Sequence, residues 1–260
     1  MFSTILWRHT ERKVGSLSPH SLAVEARGLS RFYGPFVAIR DLSFAIPAGQ
    51  VVALLGPNGA GKSTTMKILS GYLAASEGTA SVAGHDVAAE RLAATRRIGY
   101  LPENGPLYRD MTPLESLRFF GEARGLGRAL LAARIDQVVE QCGLGGIVEK
   151  PIDKLSKGLR QRVGLAQALV HDPEVLIMDE PTAGLDPNQI QHFRALVHQL
   201  RGKKTLLVST HILQEVDAVA DRVLLIHRGA LVFDGTMADV REQGTVEELF
   251  HTLTRDGASP

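Results

Sequence analysis

The sequence predicts an α/β fold built on a parallel sheet, and three observations carry that prediction. Val51–Leu55 is a continuous apolar run, which suits a strand buried on both faces, and a glycine-rich loop and a helix follow it. Later apolar strands at Val175–Met178, Thr205–Ser209 and Val223–Ile226 alternate with helical stretches. Between them, residues 103–170 hold several helical patterns and no clear strand, so this stretch reads as a helical insertion.

The remaining elements follow in order. Leu22–Ala26 and Ala38–Phe44 mix apolar and polar positions as strands do, and Pro47-Ala48-Gly49 is a turn. Short strands are expected after the first helix, through about residue 101. Residues 112–142 read as helical. Thr112 is placed to cap, Pro113 suits the first helical position, and Glu115 completes a capping box. A further helix is expected from Gly158 to Val170. The expected division is a loose tail at 1–21, one main domain at 22–235 with a helical subdomain at about 103–170, and a short helical extension at 236–260.

Composition narrows the function. With 44% hydrophobic and 22% charged residues, the 260-residue chain has an ordinary globular balance. The formal net charge of +1 gives no electrostatic argument for nucleic acid, and no such partner is expected. Cys142 is the only cysteine, so no internal disulfide forms. It reads as a small buried hydrophobe near a helix end. No apolar run reaches the roughly 18 residues of a membrane span. The apolar stretch at Phe2–Trp7 is too short for a secretory signal and lacks a basic region before it.

Two motifs carry chemistry. Gly56-Pro57-Asn58-Gly59-Ala60-Gly61-Lys62-Ser63 fits the phosphate-loop pattern G-x-x-x-x-G-K-[ST]. Its glycines let backbone N–H groups turn inward toward phosphate oxygens. The helix that starts near Lys62 adds its positive dipole end. Lys62 is expected to reach the β- and γ-phosphates, and Ser63 to ligate Mg²⁺. Thr64 extends the expected nucleotide contacts. The second motif is Glu174-Val175-Leu176-Ile177-Met178-Asp179-Glu180, an apolar strand that ends in two carboxylates. Carboxylates there are costly unless they hold a cation or water. Asp179 is expected to hold Mg²⁺, and Glu180 to polarise the water that attacks the γ-phosphate.

With these motifs in place, the chain from residue 23 to 235 resembles the ABC-transporter ATPases. Leu155-Ser156-Lys157-Gly158-Leu159-Arg160-Gln161-Arg162 looks like their signature, usually Leu-Ser-Gly-Gly-Gln. The resemblance implies a P-loop NTPase with a RecA-like parallel core, an N-terminal antiparallel β subdomain and the helical insertion. It implies that Ser156 and Gly158 clamp ATP bound to an opposite subunit. Tyr33 looks like the aromatic that stacks on adenine. Ala183-Gly184-Leu185-Asp186 resembles the loop that links two subunits, and His211 looks like the switch histidine near the γ-phosphate.

The chain departs from the common pattern at three places. Lys157 and Leu159 replace the usual glycine and glutamine of the signature. Glu103 stands where most members carry a glutamine that senses Mg²⁺ and the membrane partner, and the resemblance implies that its carboxylate contacts Mg²⁺ at the nucleotide site. That glutamate, and the closing Val246–Thr254, look like the exporter branch that includes drug-resistance, gliding-motility and copper-enzyme-maturation ATPases. The expected function is therefore an exporter ATPase using ATP and Mg²⁺. It would pair with a second cassette, as a homodimer, and drive separate transmembrane permease subunits from the cytoplasmic face of the membrane. A soluble ABC protein of DNA repair or translation is the alternative. A small-molecule P-loop kinase is the third reading, and the signature and Asp179-Glu180 argue against it.

Overall fold

The computed structural model describes residues 22–255, so the tail read at 1–21 and the last five residues lie outside the described part. Two sheets form the described chain. β1 (Leu22–Tyr33), β2 (Phe36–Pro47), β4 (Glu77–Val82) and β5 (His85–Asp86) make an antiparallel sheet in the order β2-β1-β4-β5. β3 (Val51–Leu55), β6 (Ile98–Leu101), β7 (Val175–Asp179), β8 (Thr205–Thr210), β9 (Arg222–His227) and β10 (Ala230–Thr236) make the second sheet, in the order β10-β9-β3-β8-β7-β6. All its pairings are parallel except that of β10 with β9.

The apolar runs become the centre of the parallel sheet because both of its faces are covered. Every residue of β3, β7 and β8 is buried. Along β3, Val52 and Leu54 join the core beneath the antiparallel sheet and α1 (Lys62–Leu69). Ala53 and Leu55 turn the other way, into a core closed by α7 (Leu213–Val219), α8 (Met237–Glu242) and α9 (Val246–Thr254). The two sheets are also tied by backbone. Arg40 N–H donates to the Gly229 carbonyl at 2.8 Å, and the Arg222 guanidinium donates to the Ala45 carbonyl at 2.8 Å.

No strand interrupts the stretch between β6 and β7. It holds α3 (Pro113–Ala123), α4 (Arg128–Gln141), a 3₁₀ turn at Ile152–Lys154 and α5 (Lys157–Leu169). The capping box at Thr112 forms as the sequence predicts: the Thr112 hydroxyl accepts from Glu115 N–H, and the Glu115 carboxylate accepts from Thr112 N–H. The single helical stretch read at 112–142 is two helices. Gly125, at φ 83°, ends the first of them, and Leu131 packs under Gly121 where the chain turns back. Cys142 is buried at the end of α4, and burial pushes its thiol up to about 12.

Two further differences stand out. A short helix, α2 (Arg91–Arg97), lies among the strands expected before residue 101. β9 returns as the antiparallel β10 instead of leading into a helix, through a turn in which Arg228 and Gly229 both take positive φ. α6 (Pro187–Leu200) completes the layer on the side of the helical insertion.

His171, just beyond α5, joins the insertion to the parallel sheet by donating from Nε2 to the Ile98 carbonyl at 3.0 Å. Burial, and then the charge of Arg124, push its imidazole down from 6.5 to about 4. The unfolded chain therefore takes up this proton at a higher pH than the folded one. The stability from the neutral ring is complete above about pH 6.5 and is lost as pH falls toward 4. His171→Gln should flatten the fall in urea midpoint between pH 7 and pH 5, and an unchanged slope would refute this account.

Candidate active site

The site is assembled by strand register. β8 lies between β3 and β7, with Leu55 opposite Thr210 and Asp179 opposite Ser209. The chain following all three strands therefore emerges at one edge of the sheet. Carboxyl ends of parallel strands are where such folds gather their ligands.

The glycine-rich loop leaves β3 at Gly56 and enters α1 at Lys62. A Cβ on Gly56 would lie 2.3 Å from the Ile226 carbonyl oxygen, so only glycine fits there. Gly61 caps α1 at φ 110°, and a Cβ on it would meet Ile39 at 2.5 Å. No side chain caps α1, which leaves its first N–H groups facing the loop. Lys62 is 6% exposed. Its Nζ donates to the carbonyls of Gly56 at 2.8 Å and Pro57 at 3.3 Å.

The two carboxylates are buried, Asp179 at 2% and Glu180 at 8% exposure. They are held by one hydroxyl. Ser209 Oγ donates to Asp179 Oδ1 at 2.6 Å and accepts from Glu180 N–H at 2.9 Å. Glu180 sits at φ 48°, a left-handed backbone that costs a non-glycine residue about 1–3 kcal/mol. The turn aims its carboxylate at two partners. Oε2 lies 2.8 Å from His211 Nδ1, and Oε1 lies 3.4 Å from Lys62 Nζ. Lys62, Glu180 and His211 thus form a line, with Asp179 and Ser209 behind it. Burial, then the Asp179 charge, hold the nearby Tyr100 phenol above its usual range.

Other expected residues lie apart from this line. Tyr33 ends β1, 46% exposed, with the Arg31 guanidinium 4.6 Å from its ring centre. Ser156 caps α5 by accepting from Leu159 N–H at 3.3 Å. Gly158 is buried beneath the Gln189 side chain. Among the described residues, no hydrogen bond or ion pair joins Tyr33, Ser156, Gly158 or Glu103 to Lys62 or Glu180. Nor do three or more His, Cys, Asp or Glu side chains cluster to hold a metal. Ser209 carries no expected role in the sequence reading. Its signal in the sequence is a serine near the close of an apolar run, two residues before His211.

The chain matches the family described as ABC transporter over residues 39–183. It is 40% identical over 215 residues to the ABC transporter ATP-binding protein NatA of Bacillus subtilis, covering 82% of this chain and 87% of that one. The chain belongs to the family of ABC transporter ATP-binding subunits. It is an ATPase of that family, which binds and hydrolyses ATP. It is also 39% identical to the Nod factor export ATP-binding protein I of Sinorhizobium fredii, over 85% of this chain and 64% of that protein. A solved ATP-binding subunit of an ABC transporter superposes with a TM-score of 0.83 at 32% identity, over 90% of this chain and all of that one. No helix among the described residues is long and apolar enough to cross a membrane. An ATP-binding subunit of an ABC transporter implies transmembrane partners.

Ser209→Ala should remove one acceptor and one donor from buried partners. A loss of about 1–3 kcal/mol in urea unfolding is expected. Turnover should fall at least about tenfold, as when one positioned polar group is lost, with ATP affinity nearly unchanged. Full turnover in this variant would show that the hydroxyl does not position Asp179 and Glu180.

Proposed function

We propose that this ABC cassette is the motor of an exporter, pairing head-to-tail with a second copy to enclose two Mg·ATP. The line Lys62–Glu180–His211 carries the reading, because it places a buried cation, a buried carboxylate and an imidazole at one strand edge. In this reading the loop 56–61 and the start of α1 wrap the phosphates. Lys62 exchanges its loop carbonyls and Glu180 for phosphate oxygens. Glu180, freed from Lys62, accepts a hydrogen bond from the attacking water and orients it. His211 steadies the same carboxylate at its other oxygen.

Ser63 and Asp179 are the residues that would hold Mg²⁺. Both offer hard oxygen donors, and among the described residues the Ser63 hydroxyl has no hydrogen-bond partner. The small protein ligand set suits an ion that completes its shell with water and phosphate. An ion held by these two residues would supply positive charge to offset that of the phosphates. Tyr33, exposed at the end of β1, supplies a face for adenine. Glu103 lies on the loop after β6 and reports the state of the site to the insertion and its membrane partner. Ser156 and Gly158 serve the ATP of the other copy, which fits their separation from Lys62.

The export assignment draws on the Nod factor relative, on Glu103 and on the closing helix at Val246–Thr254. The transmembrane permease subunits are separate chains, and the cassette is peripheral at the cytoplasmic face. The transporter names among the relatives favour this reading over DNA repair or translation.

Glu180→Gln should keep ATP affinity while turnover falls about 10²–10⁴-fold, the usual cost of losing a general base. The variant should accumulate as an ATP-bound dimer in size-exclusion chromatography. Lys62→Ala should instead weaken ATP binding by the lone chain. Near-normal turnover in Glu180→Gln would remove the role given to that carboxylate.

A further inference from the structure

Among the described residues, four charged side chains are buried: Lys62, Asp179, Glu180 and Glu215. The first three meet at the strand edge. Glu215 is bonded to none of them. It sits in the first turn of α7, four residues after His211. A buried carboxylate is costly unless it is paired, and Arg194 of α6 pairs it at both oxygens. Nη2 of Arg194 donates to Oε1 of Glu215 at 2.8 Å, and Nε donates to Oε2 at 3.2 Å. Such a fork fixes orientation as well as distance. Stability alone does not explain it, because apolar residues of similar volume often fill a buried ion-pair position as well or better.

The two helices it joins lead to different halves of the chemistry. α7 follows His211, which is bonded to Glu180. The turn between them is fixed by backbone: Ile212 N–H donates to the Thr210 hydroxyl at 3.0 Å, and Glu215 N–H to the Ile212 carbonyl at 3.1 Å. α6 begins at the 183–186 loop, where Asp186 and Gln189 form a capping box. The Gln189 side chain lies against Gly158, where a Cβ would come 2.2 Å from its Oε1. Arg194 stands on that same helix. Thr182, Phe193, Thr210 and Glu215 line one small internal cavity, so the pair packs behind the chain that follows Glu180 and precedes His211.

We propose that Arg194 and Glu215 are positioning residues that lock α6 to α7. The lock holds the Glu180–His211 half-site in a fixed relation to the half-site offered to a second copy. At one end stands the bond of His211 with Glu180. At the other stand Asp186, Gln189 and Gly158. The inference rests on the two-copy ATPase reading and deepens it, by naming what ties the two halves of each chain together.

The test uses the full chain in the Glu180→Gln background, where ATP-driven pairing is measured without turnover. Arg194→Lys keeps the charge and loses the two-pronged grip. Its urea midpoint and the ATP affinity of the lone chain should stay near those of the parent. The dissociation constant of the ATP-bound dimer should rise about tenfold, within the range of coupling between contacting residues. With Glu180 intact, the same substitution should lower kcat by a similar factor and leave KM for ATP nearly unchanged. The apolar pair Arg194→Met with Glu215→Leu guards against misfolding. It leaves no buried charge unpaired, so it should fold at least as stably as the parent, yet it should not regain pairing or turnover. Folded variants that pair and turn over like their parents would show a merely structural ion pair and overturn the proposal. So would a loss of ATP affinity in the lone chain as large as the loss of pairing. Failure of Glu180→Gln itself to pair with ATP would instead overturn the two-copy reading, and the inference with it.

Discussion

Three neighbouring parallel strands, β3, β8 and β7, end at a common edge, and the chemistry of the chain depends on that alignment. A shift of one residue between β7 and β8 would take Ser209 away from Asp179. A shift between β3 and β8 would move the loop that carries Lys62 relative to Glu180 and His211. Both faces of these strands are buried, so a slip of one residue would exchange side chains between differently packed cores and spoil the fit in each. The apolar runs that make the sheet are thus also what holds the site.

The site itself works against stability. Glu180 takes a left-handed backbone, two carboxylates and a lysine are buried together, and loop glycines lie where no Cβ would fit. Such features persist where the surroundings over-determine them. Here the surroundings are identifiable. Ser209 satisfies the Glu180 N–H and one Asp179 oxygen, and Lys62 is neutralised by Glu180 and bound by two loop carbonyls. The cluster is held ready for a polyanion, since each cation contact within it has a phosphate oxygen as an equivalent replacement.

Much of this was legible in the sequence because local chemistry and global fold agree. The apolar run into Gly56–Ser63, the carboxylates closing β7 and the capping box at Thr112 each name their own geometry. What was hidden depends on distance in space. Ser209 matters because β8 lies beside β7, which no local pattern reveals. The contact of Lys157 with Gly184 needs the insertion folded back onto the loop after β7. The break between α3 and α4 was masked because Leu114, Leu117, Phe120 and Ala123 continue a helical face up to Gly125. β10 was missed because the alternation of strand and helix holds until β9, and only the positive φ values of Arg228 and Gly229 turn the chain into a hairpin.

Within one chain the Lys62–Glu180–His211 line and Ser156 stay apart, and the proposed composite site is completed only by a second copy. The most direct measurement is complementation. Lys62→Ala disables the phosphate loop of its own chain, while Ser156→Arg disables only the clamp it lends to a partner. Each variant alone should hydrolyse almost no ATP. Mixed, they should regain hydrolysis, because one site of each mixed pair then combines an intact Lys62 with an intact Ser156. Mixtures as inactive as the separate variants would contradict the composite site.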